Sequence, residues 1–278
     1  MKQIFDALSE DCSKVTTQRY STSFCLAIYL LSKEMRVPIY SIYGFVRLAD
    51  EIVDSFHGYN KKYLLDKFKQ DCFDSIEQRI SLNPILNSFQ KVVNEYQIEH
   101  QLINQFLHSM EMDLEQNKYN SAMYDEYILG SAQAVGLMCL QIFTAGNNQT
   151  YEHLKTSAMK LGSAFQKVNF LRDAQADYKS LDRTYFPDVD LTAFSNAEKK
   201  KIENDIEQDF ADALIGIKQL PVTAKSGVYL AYIYYRQLFN KIKRTSADRV
   251  LSTRIRISNL QKIGLMCDSL IRYKLNVL

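Results

Sequence analysis

Apolar residues recur every three or four positions along almost the whole chain, which is the spacing of residues on one face of an α-helix. In residues 102–110, for example, they occupy positions 102, 103, 106, 107 and 110. The periodicity breaks near Pro38, Asn83-Pro84, residues 146–148, residues 180–190 and Pro221. The pattern predicts an all-α protein of about ten helices, with residues 180–190 as a candidate lid loop.

Residues 130–146, GSAQAVGLMCLQIFTAG, mix small and large side chains, which predicts a helix that packs closely on several sides. The chain has only nine glycines and four prolines, and this scarcity of helix breakers favours long helices. No break has the length or composition of an interdomain linker. Residues 1–278 are therefore predicted to form a single domain.

The composition, with 46% hydrophobic and 24% charged residues, is typical of a soluble globular protein. A net charge of +2 gives no reason to expect nucleic-acid binding. Apolar runs such as residues 24–31 are far shorter than the roughly 18 residues of a spanning helix, and the charged start is unlike a signal peptide. We expect a cytoplasmic protein that is a monomer or a weak homodimer.

Two basic segments, residues 199–201 and 254–274, are interpreted as solvated helix faces. Peripheral association with anionic lipid at the inner membrane surface is an open alternative for them. Five scattered cysteines without a C-x-x-C pair indicate reduced thiols, and the four histidines lack zinc-ligand spacing.

One candidate site lies in YGFVRLADEIVDSFHG, residues 43–58. Tyr43, Arg47, Asp50 and Asp54 follow one another at steps of four, three and four, so a helix aligns them in one stripe. The neighbouring residues are mostly apolar. This combination predicts a buried helix whose polar stripe faces an interior cavity.

A second stripe occurs more than a hundred residues later, in FQKVNFLRDAQAD. It is formed by Gln166, Asn169, Asp173 and Asp177, again within an apolar helix. Carboxylates one helical turn apart repel each other unless cations neutralise them, and their hard oxygens suit Mg²⁺ that is shared with phosphates. Two such helices facing each other predict a magnesium-diphosphate site, to which Arg47 and Arg172 add bonds to phosphate oxygens.

A third Asp-x-x-x-Asp pair, Asp205 and Asp209, needs a different interpretation. Nineteen aspartates in 278 residues give about one such pair by chance, so spacing alone is weak evidence. Charged neighbours surround this pair and no amide partner is in register with it. We predict that it is a solvated helix face.

The two segments that contain the stripes resemble motifs of the squalene/phytoene synthase family. YGFVRLADEIVD is similar to the family's first aspartate-rich motif, and FQKVNFLRDAQAD followed by DRTYFP is similar to its second. STSF at residues 21–24 and YILGSAQAVG at residues 127–136 resemble two further family motifs. The resemblance extends in order from about residue 18 to residue 260, which is nearly the whole chain.

The resemblance implies the isoprenoid-synthase α fold and a head-to-head prenyltransferase that acts on prenyl diphosphates. Mg²⁺ is the expected metal, with Mn²⁺ as an alternative, and NADPH is not expected because no glycine-rich dinucleotide loop is present. By position, the implied metal ligands are Asp50, Glu51, Asp54, Asn169, Asp173 and Asp177. The implied contacts to substrate are Arg47, Arg172, Ser21, Ser23, Phe24, Tyr43, Tyr127, Gln166, Asn169, Tyr235 and Arg249.

Several positions depart from the family pattern. Glu51 replaces an aspartate with its charge kept, Leu129 replaces a tyrosine, and Lys167 stands at a usually apolar position. Lys167 should point away from the metal stripe. The leading expectation is condensation of two geranylgeranyl diphosphates to phytoene for carotenoid synthesis, and the alternative is a squalene or dehydrosqualene synthase that uses two farnesyl diphosphates. A catalytically dead relative is disfavoured because all four motif aspartates are present.

Overall fold

The computed structural model describes residues 1–115, 119–181, 185–187 and 194–274, and for residues 176–181 and 273–274 it describes the backbone alone. Within these ranges the chain forms helices joined by short connections, and no strand occurs in them. The all-α prediction is therefore confirmed. Residues 182–184 and 188–193, and with them most of the predicted lid loop, lie outside the described residues.

The helices are α1 (Lys2–Tyr20), α2 (Thr22–Tyr29), α3 (Lys33–Asp54), α4 (Lys61–Gln78), α5 (Pro84–Tyr96), α6 (His100–Glu115), α7 (Ser121–Ile128), a π-helical turn (Leu129–Ala134), α8 (Val135–Phe143), α9 (Asn148–Leu181), α10 (Asn196–Gln219), α11 (Val222–Lys243), α12 (Ala247–Val250) and α13 (Asn259–Lys274).

The helix boundaries follow local sequence signals. Asn83 caps α5 by accepting a hydrogen bond from the Ile85 amide at 3.0 Å, and Pro84 occupies the first helical position, where its missing N–H costs nothing. Ser195 and Glu198 form a reciprocal capping box at the start of α10. The predicted break near Pro221 is also present, since α11 begins at Val222.

The break that was predicted near Pro38 lies elsewhere. Pro38 is buried inside α3, and the interruption comes at residues 30–32, before the helix begins. A proline near the start of a helix removes few intrahelical hydrogen bonds, so the helix continues through it. The Arg36 Nε donates to the Leu31 carbonyl at 3.0 Å and so connects α3 to the end of the preceding turn.

An aromatic stack holds α3 in place from its outer side. Phe45 is fully buried and stacks on Phe89 of α5 with 3.9 Å between ring centroids. Phe68 and Phe106 also contact the Phe45 ring, at 5.6 and 5.3 Å. Phe45 lies roughly on the opposite side of α3 from Asp50, given 3.6 residues per turn. Packing on one side of the helix thereby turns its polar stripe toward the interior.

The π-helical turn packs against α6 and α9 at close range, as its small residues predict. A Cβ added to Gly130 would lie 2.2 Å from the Gln105 carbonyl oxygen, and one added to Gly162 of α9 would lie 2.6 Å from the Ala132 carbonyl oxygen. Glycine is therefore required at both positions by close backbone approach.

Residues Ser121–Phe143 form the one helical stretch in the described part of the chain that is long and apolar enough to cross a membrane. Half of its most apolar window is buried inside the fold, where it packs against other helices. The search for long uninterrupted apolar runs did not detect this stretch, because polar residues and glycines interrupt it.

The prediction that Asp205 and Asp209 form a solvated face is wrong for Asp209, whereas Asp205 is exposed as predicted. The Asp209 side chain is 1% exposed, and it accepts hydrogen bonds from Lys160 at 2.9 Å and Lys167 at 2.7 Å. Lys167 also contacts the more exposed Asp205. These pairs link α9 to α10. The Asp209 carboxylate can be buried there because two cationic side chains bind it. As predicted, Lys167 points away from the stripe of Gln166.

A second correction concerns residues 199–201. Lys199 is buried and pairs with Glu203 one turn further along α10, so only part of this basic segment is solvated.

We predict that Asp209→Asn lowers the free energy of unfolding by on the order of 3 kcal/mol, because it leaves the buried Lys167 ammonium with one exposed partner. Asp205→Asn is the matched control, since it removes an exposed carboxylate from the same network and should cost less than about 1 kcal/mol. Urea denaturation followed by circular dichroism measures both values. Equal losses in the two variants would contradict the assigned role of Asp209.

Candidate active site

A deep cavity of about 740 Å³ lies between α2, α3, α8, α9, α10 and α11. On α9 its lining extends from Asp173 to Leu154, nineteen residues, or about 28 Å at 1.5 Å per residue. Charged residues cluster at one end, and the rest of the wall is mostly apolar and aromatic. The charged lining residues are Arg47, Asp50, Asp54, Asp113, Arg172, Asp173 and Arg254.

The first wall of the charged end is the C-terminal half of α3. Tyr43, Arg47, Asp50 and Asp54 all line the cavity, so the predicted stripe exists. Arg47 forms an ion pair with Glu51, and its Nη1 lies 3.9 Å from Asp50 Oδ2. The Arg47 Nε is buried without a hydrogen-bond acceptor among the described residues. A buried donor of this kind suits an anionic ligand oxygen.

The opposite wall is α9, where Gln166, Asn169 and Asp173 line the cavity. The Asn169 Nδ2 lies 3.4 Å from Gln166 Oε1, and the Tyr235 hydroxyl donates to Asn169 Oδ1 at 3.3 Å. The side chain of Asp177, the last residue of the predicted stripe, lies outside the described side chains.

Two arginines contact Asp173 on this wall. The Arg172 Nε donates to both of its carboxylate oxygens at 3.1 Å, and the Arg254 Nε lies 3.0 Å from Oδ1. Together with Arg47 they place three guanidinium groups around the acidic end of the cavity. Guanidinium groups match the geometry of phosphate oxygens, so this end can bind an anion as well as a cation.

The carboxylates at the charged end of the cavity repel one another. Burial, followed by repulsion from Asp54, raises the pKa of Asp50 to about 8, and the charge of Asp113 acts in the same direction. Burial also raises the pKa of Tyr43 to about 12, so that its phenol stays protonated. A bound cation would offset this repulsion and so stabilise the ionised form of Asp50.

Several residues implied by the family motifs reach the cavity from the start of α2, from α7 and from α11. Ser21 lines it and caps α2 by accepting a hydrogen bond from the Phe24 amide at 3.2 Å. The Phe24 ring lies 5.9 Å from both Tyr43 and Tyr235. Tyr127 lines the cavity and donates to Asp113 at 2.6 Å.

Among the implied residues whose side chains the structure describes, three do not line the cavity: Ser23, Glu51 and Arg249. Glu51 turns to Arg47, because a residue next to Asp50 lies about 100° away around the helix. Arg249 is exposed on α12, and Arg254, five residues later, contacts Asp173 instead. Arg254, and not Arg249, therefore lies at the charged end of the cavity.

Sequence reasoning also missed Asp113, Phe165, Phe170 and Tyr185, all of which line the cavity. Phe165 stacks on Tyr235 with 3.9 Å between ring centroids, and Phe170 stacks on Tyr185 with 4.1 Å. A signal existed for Asp113, because it is a lone carboxylate in the apolar register of α6. No such signal marks the phenylalanines, which resemble ordinary core residues.

The donor set suits a metal ion that is shared with a ligand. Within the described side chains, no group of three or more His, Cys, Asp or Glu is arranged to hold a metal by itself. Asp50, Asp54 and Asp173 supply hard oxygens from two opposing walls instead. Mg²⁺ commonly binds through one or two carboxylates, several waters and substrate phosphates, so these residues fit it.

The comparisons with known proteins agree with this geometry. The family model for squalene/phytoene synthase matches residues 17–261. The chain belongs to the squalene/phytoene synthase family. Members of this family use divalent metal to bind diphosphate.

Relatives within the family include enzymes named for different products. A phytoene synthase of Arthrospira platensis is 26% identical over 97% of this chain and 94% of its own length. The 4,4'-diapophytoene synthase of Staphylococcus haemolyticus is 26% identical over 81% of this chain and 77% of its own. The chain spans 62% of the length of chloroplastic phytoene synthase 1 of Zea mays.

A dehydrosqualene synthase crystal structure shares the fold, with a TM-score of 0.82 over 97% of this chain and 98% of that chain at 19% identity. The likeness confirms the predicted fold class.

The raised pKa of Asp50 predicts a pH dependence of stability in the metal-free protein. The pKa of Asp50 is near 3.8 in the unfolded chain and about 8 in the folded protein. Between these two pH values the folded state therefore keeps a proton that the unfolded state has released. The stabilising contribution is complete below pH 3.8 and is lost as the pH rises to 8. In EDTA, the unfolding temperature should therefore fall between pH 5.5 and pH 8.

Asp50→Asn removes the titrating group, so its unfolding temperature should fall less over the same pH range. Added Mg²⁺ should restore most of the wild-type loss at pH 8, because a cation favours the ionised carboxylate. Parallel pH profiles for the wild type and the variant would show that Asp50 is not the group responsible.

Proposed function

We propose that this protein condenses two molecules of geranylgeranyl diphosphate head to head, giving phytoene through a cyclopropyl diphosphate intermediate. The observation that carries the proposal is the pair of acidic helix faces, on α3 and α9, at one end of a deep apolar cavity. A prenyl diphosphate has the same division into a charged head and a long apolar tail. The identity to a phytoene synthase over 97% of the chain supports the choice of substrate.

The arginines at the charged end bind the diphosphate groups in this proposal. Arg47 has a buried Nε that can donate to a phosphate oxygen, and Arg172 and Arg254 flank Asp173. Asp50, Asp54, Asp173 and Asp177 would hold Mg²⁺, which would supply the positive charge that makes diphosphate a better leaving group. Mn²⁺ is the alternative metal.

The apolar wall supports the remaining steps. When the allylic carbon–oxygen bond breaks, the electron pair leaves with diphosphate and a carbocation remains on the prenyl chain. Phe24, Phe165 and Tyr235 form a contiguous aromatic surface beside the stripes, which excludes water and presents ring faces to the cation. Attack by the double bond of the second molecule and loss of a proton give the cyclopropyl diphosphate. A second ionisation, a rearrangement and a second proton loss give the linear product.

The alternative substrate is farnesyl diphosphate, with dehydrosqualene or squalene as the product. It is supported by the identity to the 4,4'-diapophytoene synthase, which equals that to the phytoene synthase. The two proposals differ in the length of tail that the apolar end of the cavity accepts and share all of the charged end.

The deciding experiment incubates the purified protein and Mg²⁺ with each prenyl diphosphate separately, then measures pyrophosphate release and identifies the product by mass. We expect a C40 hydrocarbon from geranylgeranyl diphosphate, with two pyrophosphates released per product. Product formed only from farnesyl diphosphate would establish the alternative, and no product from either would contradict the proposed function.

Variants test whether the turnover belongs to this cavity. Asp50→Ala and Asp173→Ala should abolish it while leaving the helical circular-dichroism signal intact. Arg254→Met should reduce kcat/KM by about tenfold or more, because it removes a charge-assisted bond. Arg249→Met is the matched control and should retain near-wild-type activity, since Arg249 lies outside the cavity lining. The reverse ranking of these two arginine variants would contradict the assignment.

A further inference from the structure

Three tyrosine hydroxyls converge on one buried carboxylate beside the metal-binding stripes. Tyr127 donates to Asp113 Oδ2 at 2.6 Å, and Tyr185 and Tyr119 donate to Oδ1 at 3.0 and 3.2 Å. Asp113 is 8% exposed, and each of the three tyrosines is buried as well. Asp113 and Tyr119 lie outside the family motifs, whereas Tyr127 belongs to YILGSAQAVG and Tyr185 to DRTYFP.

Two of the phenols are near Asp113 in sequence and one is distant. Tyr119 precedes α7 and Tyr127 belongs to it, six and fourteen residues after Asp113, whereas Tyr185 follows α9, 72 residues after Asp113. A buried carboxylate is costly unless its oxygens accept good hydrogen bonds, and here they do. An apolar residue of similar size would fill the same space at lower cost. The arrangement therefore favours a role for Asp113 beyond packing.

The hydrogen bonds fix the tyrosine rings as part of the cavity wall. Tyr127 and Tyr185 both line the cavity, with 5.0 Å between their ring centroids. Tyr185 also stacks on Phe170 at 4.1 Å with an interplanar angle of 12°. A tyrosine ring has two side-chain torsions, and anchoring its hydroxyl at a fixed acceptor removes most of its remaining freedom.

This wall adjoins the end of the cavity where the diphosphate would leave. Phe170 lies one helical turn before Asp173 on α9, and both line the cavity. Asp113 is close enough to Asp50 for its charge to affect that carboxyl group. The aromatic wall and the metal-binding carboxylates therefore occupy neighbouring positions.

We propose that Asp113 is a positioning residue that holds Tyr127 and Tyr185 as the ring surface that stabilises the prenyl carbocation after diphosphate departs. The inference rests on the proposed function. The bond that breaks is the allylic carbon–oxygen bond, its electron pair leaves with diphosphate, and no bond forms to the protein. A phenol that donates to a carboxylate has a more electron-rich ring, which strengthens its attraction for a cation.

A pair of ligands that differ only in charge tests this directly. Farnesylamine, which is protonated at neutral pH, mimics the cation, and farnesol is the neutral counterpart with the same tail. A C15 tail is chosen because it fits a cavity built for either prenyl length. Isothermal titration in the presence of Mg²⁺ and pyrophosphate measures the affinity of each ligand for the full-length protein.

We expect Asp113→Asn to weaken farnesylamine binding by about tenfold, as expected for loss of a desolvated cation–π contact, and to change farnesol binding by less than about twofold. With the preferred diphosphate substrate, kcat should fall by about tenfold or more while KM changes little. Equal weakening of both ligands would assign Asp113 a structural role only and overturn the inference. Unchanged binding of both would overturn it as well.

Two further variants complete the design. Asp125→Asn removes the same charge from an exposed position on α7 and should leave both affinities unchanged. Tyr185→Phe keeps the ring but loses its bond to Asp113, so it should weaken the amine selectively by a few-fold even if Asp113→Asn fails to fold. If the wild-type protein binds neither ligand, the proposed function itself fails, together with the inference that rests on it. Failure of the inference alone gives a different result, in which the wild type binds both ligands and Asp113→Asn binds them equally well.

Discussion

The structure depends on bringing carboxylates from two distant helices to the same end of an apolar cavity. Asp50 and Asp54 on α3 face the cavity from one wall and Asp173 on α9 from another. Groups of like charge in a partly dry space repel each other, and the raised pKa of Asp50 shows the effect of burial and of its neighbour Asp54. Arginines relieve only part of this repulsion. The unrelieved part is the reason for our proposal that the site binds a cation and, through it, diphosphate.

The rest of the fold holds the two walls in place against that repulsion. On α3 the Phe45 stack lies on the side away from the carboxylates, and on α9 the Lys167–Asp209 pair binds the helix to α10. Each helix is thus held by its outer face while its inner face stays polar. The two supports differ in chemistry, since one is an aromatic core contact and the other a buried ion pair.

Sequence periodicity predicted the features that depend on a single helix. The stripes of Tyr43, Arg47 and Asp50, and of Gln166, Asn169 and Asp173, follow from spacing alone, and the structure aligns each of them along the cavity. The features that were missed depend on contacts between helices. Asp209 was expected in solvent because charged residues surround it in sequence, and spacing could not reveal its partner Lys167, which is 42 residues away.

Contacts between distant segments also decide that Arg254, rather than Arg249, reaches Asp173. The sequence alone does not distinguish the two arginines, because they are only five residues apart. Asp113 was also missed, since spacing along α6 does not reveal its phenol partners, one of which, Tyr185, is 72 residues away. The predicted location in the cell and the oligomeric state stay predictions, as does the length of the prenyl tail.

The central claim is that the two acidic faces bind diphosphate through a shared divalent cation. Calorimetric titration of inorganic pyrophosphate, with and without Mg²⁺ and corrected for complex formation in solution, tests it most directly. We expect Mg²⁺ to raise the affinity for pyrophosphate at least about tenfold, and pyrophosphate to raise the affinity for Mg²⁺ by the same factor. We also expect Asp173→Asn to remove the coupling. Equal pyrophosphate affinity with and without Mg²⁺ would contradict the account.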